Sequence, residues 1–298
     1  MRRPSLTRRR LLRGCGGAVG CGTVASAAGC LAGFRPPSYP TWLPAPTATT
    51  TTSASGFEML QPAVLVERQE QFSADLTFDE MDRVWAPAPI EAGDASRFLH
   101  QNNVVVVEGS FDRDAARAAF EADGFEPRGT YDSYSLLSAP GKGAGAAIGD
   151  DELVGVGLFM AAVDSPRAYL EAYVDANAGR VDRFVDANDD LPALLDALDD
   201  PHYLNAAMFD ARTAHEPENG LFRGVVGRGH GWSVAGRTVT ARWAFPFEST
   251  DAVDVEALRT WVDANRGPGQ EFADWRDVTV DTAEAVAVVT ARMDAQDY

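Results

Sequence analysis

Four consecutive valines, Val104–Val107 in "NNVVVVEGSF", constrain the fold more than any other stretch. A strand turns successive side chains to opposite faces, so four apolar residues in a row leave neither face to water. The run reads as a buried central strand. "DRDAARAAFEADG" follows it and reads as a helix, with Ala116, Ala119 and Phe120 on one face and Gly124 as its stop. "YDSYSLLSAP" and "DELVGVGLFMAAV" read as two further strands joined through the turn "GKGAG". That turn is no phosphate-binding loop, because neither Ser nor Thr follows Lys142 and no helix opens there.

An aromatic residue followed by V-D-A-N occurs three times, at Tyr173–Asn177, Phe184–Asn188 and Trp261–Asn265. Two copies extend further: "LEAYVDANAG" and "LRTWVDANRG" match at Leu, the aromatic, V-D-A-N and Gly in one register. Leu170, Tyr173 and Val174 share a helix face, as do Leu258, Trp261 and Val262. Ser165 and Pro166 suit the start of the first helix, and Gly179 and Gly267 the two ends. Each helix follows a pair of apolar strands. The expectation is an α+β fold of two related halves, residues 57–200 and 201–298. Each half would be a mainly antiparallel sheet with one or two packed helices, ferredoxin-like or similar. Convergence on favourable helix grammar is the competing explanation of the match. In the second half "HYLNAAMFDA" reads as a strand, and "GLFRGVVGRGHGWSVAGRTVTARWAFPF" as a meander with Gly227–Gly231 at a turn. "DVTVDTAEAVAVVTARM" supplies a final strand with room for a turn.

Charge narrows the partners. The chain has 44 acidic and 26 basic residues, a net charge of −18. The acids are 28 Asp and 16 Glu, and Lys142 is the one lysine beside 25 Arg. Phosphate binding needs a cationic surface, so nucleic acid is not an expected partner, nor is charge attachment to an anionic membrane. An Asp-rich, Lys-poor composition resembles that of proteins from extreme halophiles, in which molar salt screens carboxylate repulsion within a few Å. In such a chain a lone carboxylate says little about catalysis.

Residues 1–29 contain six Arg and no acid, and read as a signal segment. "TRRRLLR" at Thr7–Arg13 resembles the twin-arginine export motif, with Arg8 and Arg9 as the pair and Leu11 and Leu12 after them. Removing the segment leaves 20 basic against 44 acidic residues, a charge of −24. All three cysteines, Cys15, Cys21 and Cys30, lie in or just after it, so the body has no disulfide or thiol chemistry. Cys30 follows "SAAG", which resembles a lipobox and makes Cys30 the expected lipidation residue, although Ala27 stands where a larger aliphatic residue is usual. Cleavage after the "ASA" of Ala25–Ala27, giving a secreted protein, is one alternative. Retention of Gly14–Phe34 as an anchor is another, weakened by its seven glycines. Residues 30–56, rich in Pro, Thr and Ser, read as an extended tether. Together these features resemble haloarchaeal twin-arginine-exported lipoproteins. The resemblance implies a lipid anchor on Cys30 at the outer face of the cell membrane.

The body offers no complete catalytic or metal pattern. "DANDD" at Asp186–Asp190 alternates oxygen ligands as a calcium loop does, but Leu191 stands where Gly is needed and Ala197 where Glu is needed. His215, Glu216 and Glu218 could meet His230 at a metal, without any recognised ligand spacing. Ser233 in "GHGWSVAG" lacks the glycine spacing of a nucleophile elbow. Trp232, Trp243, Trp261 and Trp275 suit either a core or a ligand groove. No dinucleotide fingerprint is present, so no cofactor or metal is expected. The expected function is a non-enzymatic cell-surface interaction or envelope protein with a protein partner. A solute-binding or sensing lipoprotein is the alternative, and an extracellular hydrolase a third.

Overall fold

The structure, a computed structural model, describes residues 39–46, 55–72, 85–158 and 162–297. Every described residue belongs to one compact unit, Pro37–Tyr298. The export residues Arg8, Arg9, Leu11 and Leu12 and the lipidation candidate Cys30 lie outside the described residues. Among the described residues no helix is long and apolar enough to cross a membrane.

The fold is α+β. Its strands are β1 (Ser55–Leu60), β2 (Ala95–Gln101), β3 (Val104–Gly109), β4 (Glu126–Tyr131), β5 (Tyr134–Ala139), β6 (Ala144–Ile148) and β7 (Glu152–Val156). After them come β8 (Tyr203–Met208), β9 (Gly227–Ala235), β10 (Thr238–Pro246), β11 (Arg276–Ala283) and β12 (Val286–Asp294). The α-helices are α1 (Pro62–Glu67), α2 (Arg113–Ala122), α3 (Pro166–Asn177), α4 (Phe184–Ala187), α5 (Leu191–Leu198) and α6 (Val255–Ala264). All strands join one 12-stranded sheet in the order β11-β12-β10-β9-β8-β1-β2-β3-β7-β6-β5-β4. Every neighbouring pair is antiparallel.

The valine run shows why helices cover both faces. Val104 and Val106 pack with Leu170 and Tyr173 of α3, Phe184 of α4 and Leu194 of α5. Val105 and Val107 pack on the other side with Ala116 and Phe120 of α2. Further along that second side, Leu258 and Val262 of α6 cover Ala241, Trp243 and Val289. Asp112 caps α2 by accepting from the Ala115 N–H at 2.9 Å, and Asp254 caps α6 through Ala257 at 2.9 Å. Both edges resist further pairing. The register of β4 is broken between Pro127 and Thr130, and that of β11 between Arg276 and Thr279.

Four sequence expectations change. First, there is one sheet, because β1 pairs with both β2 and β8 and fuses the two halves. The halves nevertheless follow one path: three meandering strands, a ten-residue Asp-capped helix, then strands that return beside the third. In that path α6 corresponds to α2. The V-D-A-N match pairs α6 with α3, which follows β7 instead. The three motifs also end differently. Gly179 takes a left-handed φ of +72° after α3, Gly267 has no positive φ, and Asn188 accepts from the Asp190 and Leu191 N–H groups at the entry to α5.

Second, part of the supposed tether is core. Tyr39–Trp42 form a 3₁₀ helix, and Tyr39, Trp42 and Leu43 are at most 1% exposed. Their i, i+3, i+4 spacing sets all three against the sheet. The Trp42 Nε1–H donates to Glu108 Oε1 at 3.0 Å, and the Thr41 hydroxyl to Asn177 Oδ1 at 2.8 Å. Ser55 and Gly56, at the tether's far end, open strand β1. Third, Gly227–Gly231 form no turn but the start of β9. Fourth, Ser165 precedes α3 without a side-chain capping bond, while Pro166 does open the helix.

Candidate functional site

The glycine-rich stretch builds one wall of a cleft. In β9 glycine alternates with Arg228 and His230, so all the glycines point to one face and the large side chains to the other. On the glycine face α5 comes close: a Cβ on Gly229 would stand 2.5 Å from Leu198 Cδ1 and 3.0 Å from Leu194 Cδ1. On the opposite face the register places Asn205 of β8 beside His230, and His230 beside Trp243 of β10. These three residues form a row across the sheet. Together with Trp261 of α6 and Glu271 they line a cleft of about 300 Å³.

The walls are aromatic. The His230 ring stacks on Trp243 with centroids 4.8 Å apart and planes 16° apart. Trp243 and Trp261 each meet Phe272 edge-on, at 4.9 Å and 4.8 Å. The Trp243 Nε1–H donates to Glu271 Oε1 at 3.1 Å, which holds that carboxylate at the rim. At the other rim, Gly220 has φ +69°, and a Cβ there would lie 3.2 Å from Trp261 Nε1. That proximity and the left-handed backbone both favour glycine at this position.

Asn265 of the third V-D-A-N motif ties the rims together. Its amide donates to the Glu218 carbonyl at 3.0 Å, and its own carbonyl accepts from the Phe272 N–H at 2.8 Å. One residue at the end of α6 therefore positions both loops, the Asn219–Gly220 loop through its side-chain amide and the Glu271 loop through its backbone carbonyl. The recurring motif reads as the end of a helix in the sequence, and its use as a brace is not visible there.

Several polar groups in the cleft are uncommitted. The side chains of Asn205 and Arg228 are exposed and bond to no other described residue. His230 Nε2 is shielded from water and has no hydrogen-bond partner. Burial pushes the His230 pKa down to about 4 from 6.5, so the ring is neutral at pH 7. The unfolded chain then binds a proton between those values that the folded chain excludes. Stability should fall as pH drops from 6.5 towards 4. His230→Phe removes this contribution, so its melting temperature should fall less over that interval than that of the native chain. Parallel curves would overturn the assignment.

The other sequence candidates do not converge here. His215 lines a separate cleft with Arg223, Glu248 and Asp254, apart from His230. Glu216 accepts from the Asn219 amide at 3.0 Å. Ser233 lies within strand β9 opposite Thr240, not between strand and helix. Asp186 and Asp190 flank the junction of α4 and α5, where Asn188 caps. Trp275 packs edge-on against Trp243 at 5.5 Å, and Trp232 stacks with Tyr203 at 5.9 Å. The alternation of Gly with Arg, His and Trp in "GRGHGW" was the signal that could have located this site.

No protein-family model matches the chain, and no curated protein matches it. Among solved structures, crystal form III of TP0453 is similar with a TM-score of 0.44 and 6% identity, over 82% of this chain and 92% of that one. Crystal form I of TP0453 has a TM-score of 0.44 and 5% identity, over 85% and 94%.

Proposed function

We propose that the chain is an exported surface lipoprotein, anchored through Cys30, whose folded body binds a small solute in the cleft beside Trp243 and Trp261. The observation that carries the binding reading is the placing of two exposed, uncommitted side chains, Asn205 and Arg228, beside the aromatic wall of the cleft. Small-molecule sites combine these two features. The cleft lies within the second half of the chain rather than between the halves.

A screen of sugars, amino acids, methylammonium compounds and aromatic acids by thermal shift in high salt tests this reading. At least one class should raise the melting temperature of the native chain, and raise that of Arg228→Ala less at the same ligand concentration. A flat response across all classes would remove the binding reading. The address has its own test. Cys30→Ser should abolish lipid labelling and membrane association, and joint replacement of Arg8 and Arg9 by Lys should block export. Unchanged labelling and export would refute the anchor and the signal respectively.

A second reading, docking of a protein partner, has one observation in its favour. On the sheet face beyond α5, the register sets Ser233, Thr240, Arg292 and Arg276 in one row across four strands. That polar, uncovered row suits contact with another surface.

A further inference from the structure

We propose that the cleft receives the ring of a neutral sugar, either free or as the terminal residue of a glycan. The inference rests on the solute-binding reading above and names the chemistry that reading leaves open.

Size comes first. Small-molecule sites span about 300–1,000 Å³, and this cleft, at about 300 Å³, sits at the lower bound. It accommodates one ring and not a chain of them. Charge comes next. One guanidinium, Arg228, and one carboxylate, Glu271, face the cleft from its rims. A strongly anionic ligand would meet Glu271 and the field of a chain whose net charge is −18. A cation would meet Arg228.

The polar groups then separate the neutral candidates. Asn205, Arg228, His230 and Glu271 carry planar groups. Three of them present two adjacent donor or acceptor atoms, the spacing that vicinal hydroxyls on a ring can bridge. A sugar hydroxyl both donates and accepts, so it suits the Asn205 amide, the Arg228 guanidinium and the Glu271 carboxylate alike. A quaternary methylammonium group has neither donor nor acceptor and would leave the Asn205 amide and the Arg228 N–H groups it covers unpaired. A purely aromatic ligand leaves the same groups unpaired. The partly exposed Trp261 ring complements a sugar from its other side, because the axial C–H bonds of a pyranose make an apolar face that packs on an indole.

The test is titration of the purified body with methyl glycosides of glucose, mannose, galactose and N-acetylglucosamine, read by saturation-transfer NMR and tryptophan fluorescence. One glycoside should bind saturably, with a Kd on the order of 1 mM. Asn205→Ala and Arg228→Ala, both at exposed positions, should each weaken it about tenfold, as the loss of one hydrogen bond implies, without moving the melting temperature. A glycan array separates the two sources: retention of arrayed glycans ending in that sugar identifies the terminal residue as ligand, and binding of the free glycoside alone identifies the free sugar. If no glycoside binds while a methylammonium or aromatic compound does, with the same loss in both variants, the sugar assignment is wrong and the solute-binding reading stands. If no class of solute binds, both fail.

Discussion

Replacing Trp42 with alanine will lower the stability of the body by about 3–5 kcal/mol, the range for emptying a buried large aromatic site. Trp42 is 1% exposed and shares a core cluster with Leu170 and Tyr173 of α3 and with Val104 and Val106 of β3. The substitution also leaves Glu108 without the indole donor, although Arg97 still pairs with that carboxylate at 2.9 Å. A denaturant melt in the presence of salt reads the effect as a lower midpoint. Val66→Ala is the control: Val66 is 38% exposed, so its midpoint should shift by no more than about 0.5 kcal/mol. A Trp42→Ala midpoint equal to that of the native chain would mean that residues 39–46 are a tether after all. A truncation beginning at Phe57 should fail to fold, because it removes this buried segment and the first two residues of β1, which pair with β8.

The same segment shows what composition conceals. Pro, Thr and Ser describe residues 30–56 on average, but Tyr39, Trp42 and Leu43 supply an apolar face within the average. Patterns that encode burial directly were readable. Val104–Val107 form a strand with both faces buried, and the Ala116–Phe120 stripe lies on the buried side of α2. Strands without such a pattern escaped notice. β4 is almost wholly exposed, β6 is the small-residue run "AGAAI", and β2 mixes Arg97 and His100 into its length. Their places in the sheet are set by pairing partners far away in sequence, which local periodicity does not report. The V-D-A-N match illustrates the converse. Two helices that pack one face on a sheet need the same residues at the same spacing, wherever they stand in the topology. The cleft was the least legible feature, because its residues come from β8, β9, β10, α6 and two loops. Of these only "GRGHGW" carries a local signature, and glycine there suggests a turn until its alternation with large residues is counted.

That alternation makes the second strong prediction. Gly229 separates Arg228 from His230, both of which face the cleft, and lets α5 approach the opposite face of β9. Gly229→Val should improve local strand propensity yet destabilise the protein by about 1–3 kcal/mol through overpacking. The clash is specific: the new Cβ would meet Leu198 Cδ1 at 2.5 Å and Leu194 Cδ1 at 3.0 Å, and these leucines are 2% and 0% exposed, with no free space to rotate into. Leu198→Ala alone should cost about 2–5 kcal/mol by leaving a cavity. Combined, the two changes should cost less than their sum by about 0.5–3 kcal/mol, since each removes the reason the other is harmful. Denaturant melts of the native chain, both single variants and the double variant complete the cycle. Strict additivity would mean that α5 does not rest on the glycine face of β9. Pushing α5 away should also disturb the cleft from behind, because β9 holds Arg228 and His230 in register with Asn205 and Trp243. The single variant should then bind the cleft ligand more weakly than the native chain, and the double variant should recover part of that loss.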